Sequence, residues 1–357
     1  MGTVPPDAGA SAHPNPPAAA ETARYVVAQA VWAPSVHNTQ PWWFSAGGQQ
    51  ISLYADAGRR LAVADPDGRE MMISGGAALF TVRLALRSLG YIPKTWVLPD
   101  PAQPALVARV SWRQQAAATD YEQRLTRQVP RRRTHRGGFD PVPLSPNLLA
   151  ALVDCAARDG ARLRIVTDEG RRAALAAAVE TAERAAHLDS AHVQELVMWA
   201  PPPASPRTDG VPPTSYPARA EHTDPDFPGR DYAHGLGWGN PPLSSARMPR
   251  AAGVVGLLTT AGDGPADWVN AGQALQRILL TASTCGVAAA LHSQPLELPW
   301  LREDIRGRLA DGGYPQMLLR LGAVIQTAVS VRRAPDEVLG PCRALNPPSA
   351  TPARCAP

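Results

Sequence analysis

Lysine is almost missing from this chain. Of 357 residues only Lys94 is lysine, and every other basic side chain is arginine. Any phosphate-binding site must therefore use guanidinium groups, which grip phosphate with two parallel hydrogen bonds. Cysteine is scarce too. Cys155, Cys285, Cys342 and Cys355 include no C-x-x-C pair, so neither zinc nor a dithiol redox centre is suggested. Unpaired thiols suit a reducing cytoplasm. No run of about eighteen apolar residues exists, which excludes a membrane-spanning helix. The first twenty residues are rich in Pro and Ala without an apolar centre, so they do not read as a signal peptide. Residues 1–20 and 341–357 are expected to be disordered tails. The net charge of +4 is slight for this length, which argues against a nucleic-acid partner. Motifs for metalloproteases, serine hydrolases and P-loops are all missing, and His187 and His192 are spaced too far apart to share a helix face.

What is present begins with residues 33–44, APSVHNTQPWWF. A helix-like stretch, 21–32, runs into Pro34, which should stop it. Pro34 and Pro41 stiffen the loop. Ser35, Asn38 and Gln40 carry donors and acceptors. Trp42, Trp43 and Phe44 should anchor the exit in a core. A rigid polar loop of this kind suits reading the edge of a flat heterocycle. It equally fits a proline-bounded turn before a buried strand.

Two distant segments look alike. Residues 76–90 (GAALFTVRLALRSLG) align without a gap on 272–286 (GQALQRILLTASTCG). Both place apolar residues at helical spacing on more than one face, as a buried central helix needs, and both end at a glycine suited to a C-cap. Strands are expected downstream of each, at 105–112 and 316–324. Between them, Ser145-Pro146 should open a helix that stops near Gly160. A strand at 161–167 and an Ala-rich helix at 168–187 should follow. A duplicated α+β unit accounts for this order, with halves at 21–130 and 131–340. The similarity of two buried helices is the simpler alternative.

Residues 201–250 break the pattern. They are dense in proline, with glycines clustered at 235–239 and scattered aromatics, Tyr216, Phe227, Tyr232 and Trp238. We read this insertion as a lid over a pocket, the alternative being a mobile insertion.

The second informative run is 131–139, RRRTHRGGF. Its four arginines and one threonine could neutralise a phosphate dianion. A solvated basic stretch is the plain alternative.

The loop A-P-S-x-x-N-x-Q-P-W-x-F resembles that of the nitroreductase family, FMN proteins in which it lies against the flavin. It is most similar to the Acg branch, whose members are long and internally duplicated. The resemblance implies an α+β fold of two fused repeats, an intramolecular pseudo-dimer with central antiparallel-rich sheets flanked by helices. It implies that Pro34, Ser35, His37 and Asn38 lie against FMN. The arginine run resembles the family's R-x-S/T-x-R/K-x-x-F. By that likeness Arg132 and Thr134 hold the phosphate, Arg133 lies alongside, and Arg136 sits near the ring's pyrimidine side. Ser293 and Gln294 fall where the family's backbone passes flavin N5, though this chain lacks the usual acidic residue and glycine there. Arg332 and Arg333 fall where the family places further basic residues on the phosphate; surface charge is the alternative for that doublet.

In ordinary members the arginine motif precedes the loop, and the two motifs meet across a dimer interface. Here the loop belongs to the first half and the arginines open the second. One chain should therefore complete a single FMN site as a functional monomer. The implied activity is NAD(P)H-dependent reduction of a small electron-poor acceptor, such as a nitroaromatic or quinone, by ping-pong hydride transfer at flavin N5 with no catalytic protein acid or base. The alternative is a protein that sequesters FMN beneath the lid with little turnover.

Overall fold

The computed structural model describes residues 19–217, 221–232, 250–324 and 329–341. Helix α1 (Ala19–Ala30) buries Ala23, Val26, Val27 and Ala30 at helical spacing and ends ahead of Pro34. The next elements are β1 (Trp42–Gly47), β2 (Gln50–Ala55), the long helix α2 (Arg69–Ser88), β3 (Tyr91–Val97) and β4 (Leu106–Gln115). Helix α3 (Asp120–Gln128) closes the repeat, started by a capping box between Thr119 and Glu122.

The second repeat opens with α4 (Pro146–Arg158), with Pro at N1 after Ser145 as expected. It continues through β5 (Arg162–Val166), α5 (Glu169–Leu188) and α6 (Ser190–Met198). The Asp168 carboxylate caps α5 by accepting from Arg171 N. Two short strands, β6 (Thr223–Asp224) and β7 (Arg250–Ala251), precede β8 (Val254–Thr260). Then come α7 (Pro265–Thr284), β9 (Val287–His292), α8 (Gln294–Glu297), α9 (Pro299–Leu309) and β10 (Tyr314–Ala323). The described chain ends with α10 (Pro335–Val338) and β11 (Leu339–Pro341).

The duplication is written in strand order. One sheet runs β11-β1-β2-β4-β3 and the other β5-β8-β10-β9. If β11 is set aside, the orders correspond strand for strand, all pairs are antiparallel, and the long helix follows the second strand in both. Strand β11 crosses from the second repeat to pair parallel with β1, Phe44 opposite Leu339. Helices α2 and α7 pack against each other at the centre, where Gln276 Nε2 donates to Thr81 Oγ1 at 3.0 Å inside the contact. One core lies between α1, α2 and the first sheet; a second lies between α4, α7 and the other. A third fills the far face of the second sheet, under α5 and α9.

The repeats differ in one connection. A tight turn at Gly48-Gln49 joins β1 to β2, whereas α5, α6 and the proline-rich segment join β5 to β8. Residues 218–220 and 233–249, including Trp238 and the glycines at 235–239, lie outside the described residues. So do the expected tails, except that residues 19–20 belong to α1 and residue 341 to β11.

Candidate functional site

The loop between α1 and β1 folds tightly. Ser35 Oγ accepts from Gln40 N at 2.9 Å, closing it on itself. His37, Asn38 and Gln40 all take left-handed backbone angles, with φ of 48°, 55° and 50°. Asparagine and histidine visit that region more often than most residues, but glutamine has no such preference, so the surroundings must hold Gln40 there. They do so through the amides. Asn38 Nδ2 donates to Gly210 O (2.9 Å) and Val331 O (3.2 Å), and its Oδ1 accepts from Arg332 Nη1 at 2.9 Å. Gln40 donates to Thr208 O at 2.8 Å and accepts from Arg333 N at 2.9 Å.

This corrects one expectation. Pro34, Ser35 and His37 line a cleft, but Asn38 and Gln40 do not. A buried amide must satisfy donor and acceptor together. The backbones of 208–210 and 331–333 and the Arg332 guanidinium supply those partners, so the amides fasten chain segments rather than face the cleft. Trp42 and Phe44, as expected, are wholly buried.

The arginine run lies along β9. Thr134 forms a parallel bridge with Ala289, and His135 N donates to Ala289 O at 2.8 Å. This ladder puts Thr134 and Arg136 on the cleft wall. Arg132 and Arg133 face a neighbouring hollow with Arg131, Ser283 and Ala288. Arg332 arrives from the far end of the chain. Its Nη2 and that of Arg132 both point at Trp32 O, at 3.5 and 3.2 Å. The Arg133 guanidinium sits 4.4 Å over the Trp32 ring.

This group is electrically unbalanced. Arg132 Nε and Nη1 and Arg332 Nε are buried with no partner among the described residues. Burial, reinforced by Arg133 and Arg136, pushes the Arg132 guanidinium down to about 9. Burial and the same neighbours together with Arg132 push Arg332 well below its ordinary value. Among the described residues no carboxylate pairs with Arg132 or Arg332. Buried cations with orphaned N–H groups call for an anion. A phosphate monoester fits both their charge and their donors. Arg333 does not join them: its side chain reaches Glu337 O at 3.1 Å and Gln40 O at 3.5 Å, because its backbone N–H is tied to Gln40. Of the expected doublet, Arg332 lies with Arg132 and Arg333 does not.

The rest of the cleft comes from both repeats. Glu70, Ile73 and Ser74 of α2 face Leu275 of α7 and the end of β9 with Ser293 and Gln294. Ser293 Oγ accepts from Arg230 Nη2 at 3.0 Å, and Arg230 is ion-paired with Glu297. The Glu297 charge raises the Arg230 pKa against its burial. Beneath them Arg320 Nε donates to His292 Nε2 at 2.9 Å. Arginine only donates, so His292 is neutral with its proton on Nδ1. Burial, then Arg320, pushes it well below the usual histidine range.

The insertion reaches this cleft through Gly229, Arg230 and Tyr232. The Tyr232 hydroxyl lies 2.9 Å from His37 Nδ1, and Tyr216 stacks on the Tyr232 ring with centroids 5.6 Å apart. Sequence reasoning missed Glu70, Arg230, His292 and Arg320 as wall residues. Arg320 did carry a signal, a lone charge inside the apolar strand MLLRLG. Glu70 carried none, since a glutamate in a helix's first turn is ordinary. Among the described residues no group of His, Cys, Asp and Glu could hold a metal ion. Cys155 and Cys285 are unpaired, while Cys342 and Cys355 lie outside the described residues. No described helix is long and apolar enough to cross a membrane.

No family model matches the sequence. Individual proteins do. The chain is 36% identical over 308 residues to "Putative NAD(P)H nitroreductase Rv3131" of Mycobacterium tuberculosis, covering 85% of each. It is 27% identical over 314 residues to "Putative NAD(P)H nitroreductase acg" of the same organism, covering 86% of this chain and 91% of that one. A solved nitroreductase from Anabaena variabilis, itself described as putative, aligns over 85% of this chain and 88% of its own, at 11% identity and a TM-score of 0.45. Likeness to Rv3131 at that identity, over most of both lengths, establishes that the chain belongs to the nitroreductase family, with Acg among its relatives.

Proposed function

We propose that this protein is an FMN-dependent oxidoreductase that uses NAD(P)H to reduce a small electron-poor acceptor, nitroaromatic or quinone-like. The observation that carries this reading is the buried arginine group, unpaired with any carboxylate among the described residues, beside a cleft walled by both repeats. FMN held there would supply the redox chemistry, hydride transfer at N5 between NAD(P)H and the acceptor in ping-pong order.

The chain's own groups bind and orient. Arg132, Arg133 and Arg332 would hold the phosphate, with Thr134 adding a hydroxyl donor. Arg136 would place positive charge beside the ring, where it favours an anionic reduced form. Pro34, Ser35 and His37 would bound one side of the ring, and Ser293 and Gln294 another. Since loop and arginines belong to one chain, a monomer would be sufficient. Relatives named as NAD(P)H nitroreductases support the choice of reductant.

Absorbance tests the reading. Purified protein is expected to be yellow, with a flavin spectrum near one FMN per chain, and to bleach when mixed anaerobically with NADPH. Protein that stays colourless with added FMN overturns it.

The Tyr232–His37 bond and the Arg230–Ser293 bond favour a second reading, in which the insertion covers the ring and the protein sequesters FMN. Bleaching by dithionite but not by NADH or NADPH would select that alternative.

A further inference from the structure

Glu70 stands in the first turn of α2, on the cleft wall one helical turn before Ser74. It is 3% exposed. Arg69 takes its Oε1, while Oε2 is buried and has no hydrogen-bond partner among the described residues. An ionised carboxylate would leave that oxygen's charge unsolvated, which is costly inside a protein. A protonated carboxyl avoids that charge, and rotation of the side chain toward the cleft it lines would present its O–H to a bound acceptor.

The charged groups packed around it divide. Arg69 on the same turn and Arg230 from the insertion favour the anion; Asp65 in the preceding turn and Glu297 on α8 oppose it. Arg69 is shared, since it also donates to Gln316 O at 3.0 Å and Leu296 O at 3.3 Å. Arg230 is engaged by Glu297 and Ser293. Burial therefore prevails, and the Glu70 carboxyl is lifted to about 7. The flanking Asp65 is itself raised to about 6 by burial, although Glu70 N and Met71 N both donate to it.

We propose that Glu70 is the proton donor to the acceptor reduced in this cleft, a role that rests on the oxidoreductase reading above. Converting a quinone to a hydroquinone requires a hydride and a proton. The hydride, from the cofactor reduced by NAD(P)H, brings both electrons and the first hydrogen. The Glu70 O–H bond breaks to give the second hydrogen to the other quinone oxygen. Glu70 is left as a carboxylate, and water reprotonates it after the hydroquinone departs. An acid with a pKa near the working pH is suited to this transfer.

The test compares wild type with Glu70→Gln, which keeps the shape and removes the proton, and Glu70→Asp, which keeps an acid. Infrared spectra need no turnover. Wild type should show a protonated-carboxyl stretching band that fades as pH rises through neutrality, absent in Glu70→Gln and displaced in Glu70→Asp. In stopped flow, NADPH-reduced protein is mixed with a quinone or with ferricyanide, which takes electrons without protons. Glu70→Gln should lower the quinone-to-ferricyanide rate ratio by about 100-fold or more, and Glu70→Asp should restore part of it. A wild-type ratio in Glu70→Gln, or an infrared band unchanged by both substitutions, overturns the proposal. Wild-type protein that NADPH fails to bleach overturns the underlying oxidoreductase reading instead, and the Glu70 role with it. If Glu70→Gln does not fold, the displaced band and rate ratio of Glu70→Asp decide.

Discussion

Gly76 and Gly272 face each other where the two central helices cross. A Cβ placed on Gly76 would overlap the carbonyl of Val269 and lie 3.0 Å from Gly272 Cα. A Cβ on Gly272 would overlap the carbonyl of Ile73 and lie 2.9 Å from Ala77 N. Each glycine thus meets the carbonyl three residues before the other. Such reciprocity is the mark of a two-fold interface, here enclosed within one chain.

The first prediction concerns this crossing. Gly76→Ala should push α2 and α7 apart and destabilise the protein by about 2–3 kcal/mol, despite alanine's better helix propensity. Urea unfolding measures this directly. A gain in stability would mean that the helices do not approach as closely as described.

A second prediction concerns the arginines. Arg132→Met removes a buried cation repelled by its neighbours, at the loss of one hydrogen bond to Trp32 O. Protein freed of bound cofactor should lose less than about 1 kcal/mol of stability. Inorganic phosphate at ten times its Kd should stabilise wild type by about 1.4 kcal/mol. It should stabilise the variant far less. Equal melting shifts for the two proteins would remove Arg132 from any anion site.

Tyr232→Phe breaks the link between the insertion and the first-repeat loop, and leaves His37 Nδ1 without its partner. A loss of about 1 kcal/mol is expected. Bound flavin should become more accessible to iodide, measured as fluorescence quenching. If the insertion limits access, NADPH should also bleach the variant several-fold faster.

The pH dependence of stability has two limbs of opposite sign. His37 and His292 are held well below the usual histidine value, chiefly by burial. Their contribution is complete above pH 6.5 and is lost as pH falls, because the unfolded chain takes up protons that the folded one refuses. Glu70, raised from 4.5 to about 7, acts in reverse. Its contribution is complete below pH 4.5 and is lost as pH rises through 7. Stability should therefore be greatest in mildly acidic to neutral solution. Denaturant titrations from pH 5 to 8 should show Glu70→Gln gaining on wild type by about 1–3 kcal/mol as pH rises.

Much of the fold was legible because apolar spacing dictates local structure. The runs 76–90 and 272–286 must be buried helices, and both are. Proline placed the end of α1 and the start of α4. The site was legible in its parts. The cleft draws on Pro34, Ser35, His37, Thr134, Arg136, Ser293 and Gln294, and Arg132 with Arg332 meets at Trp32 O beside it. The direction of individual side chains was not legible. Asn38 and Gln40 looked like ligand-reading amides, yet their partners are backbone groups about 170 and 290 residues away along the chain and, for Asn38, the Arg332 guanidinium as well.

The amino-acid order by itself pointed to the two long central helices, to the helices at 21–32, 145–160 and 168–187, to the strands at 105–112, 161–167 and 316–324, and to a cationic run at 131–136. These follow from local terms: periodicity, proline geometry and charge density. Only the tertiary structure decided that β11 crosses to the first sheet, that Arg332 joins Arg132 while Arg333 turns away, and that Glu70 faces the cleft with one oxygen unpaired. Those outcomes depend on which distant backbone groups a side chain meets once packing is complete, and no local pattern encodes that meeting.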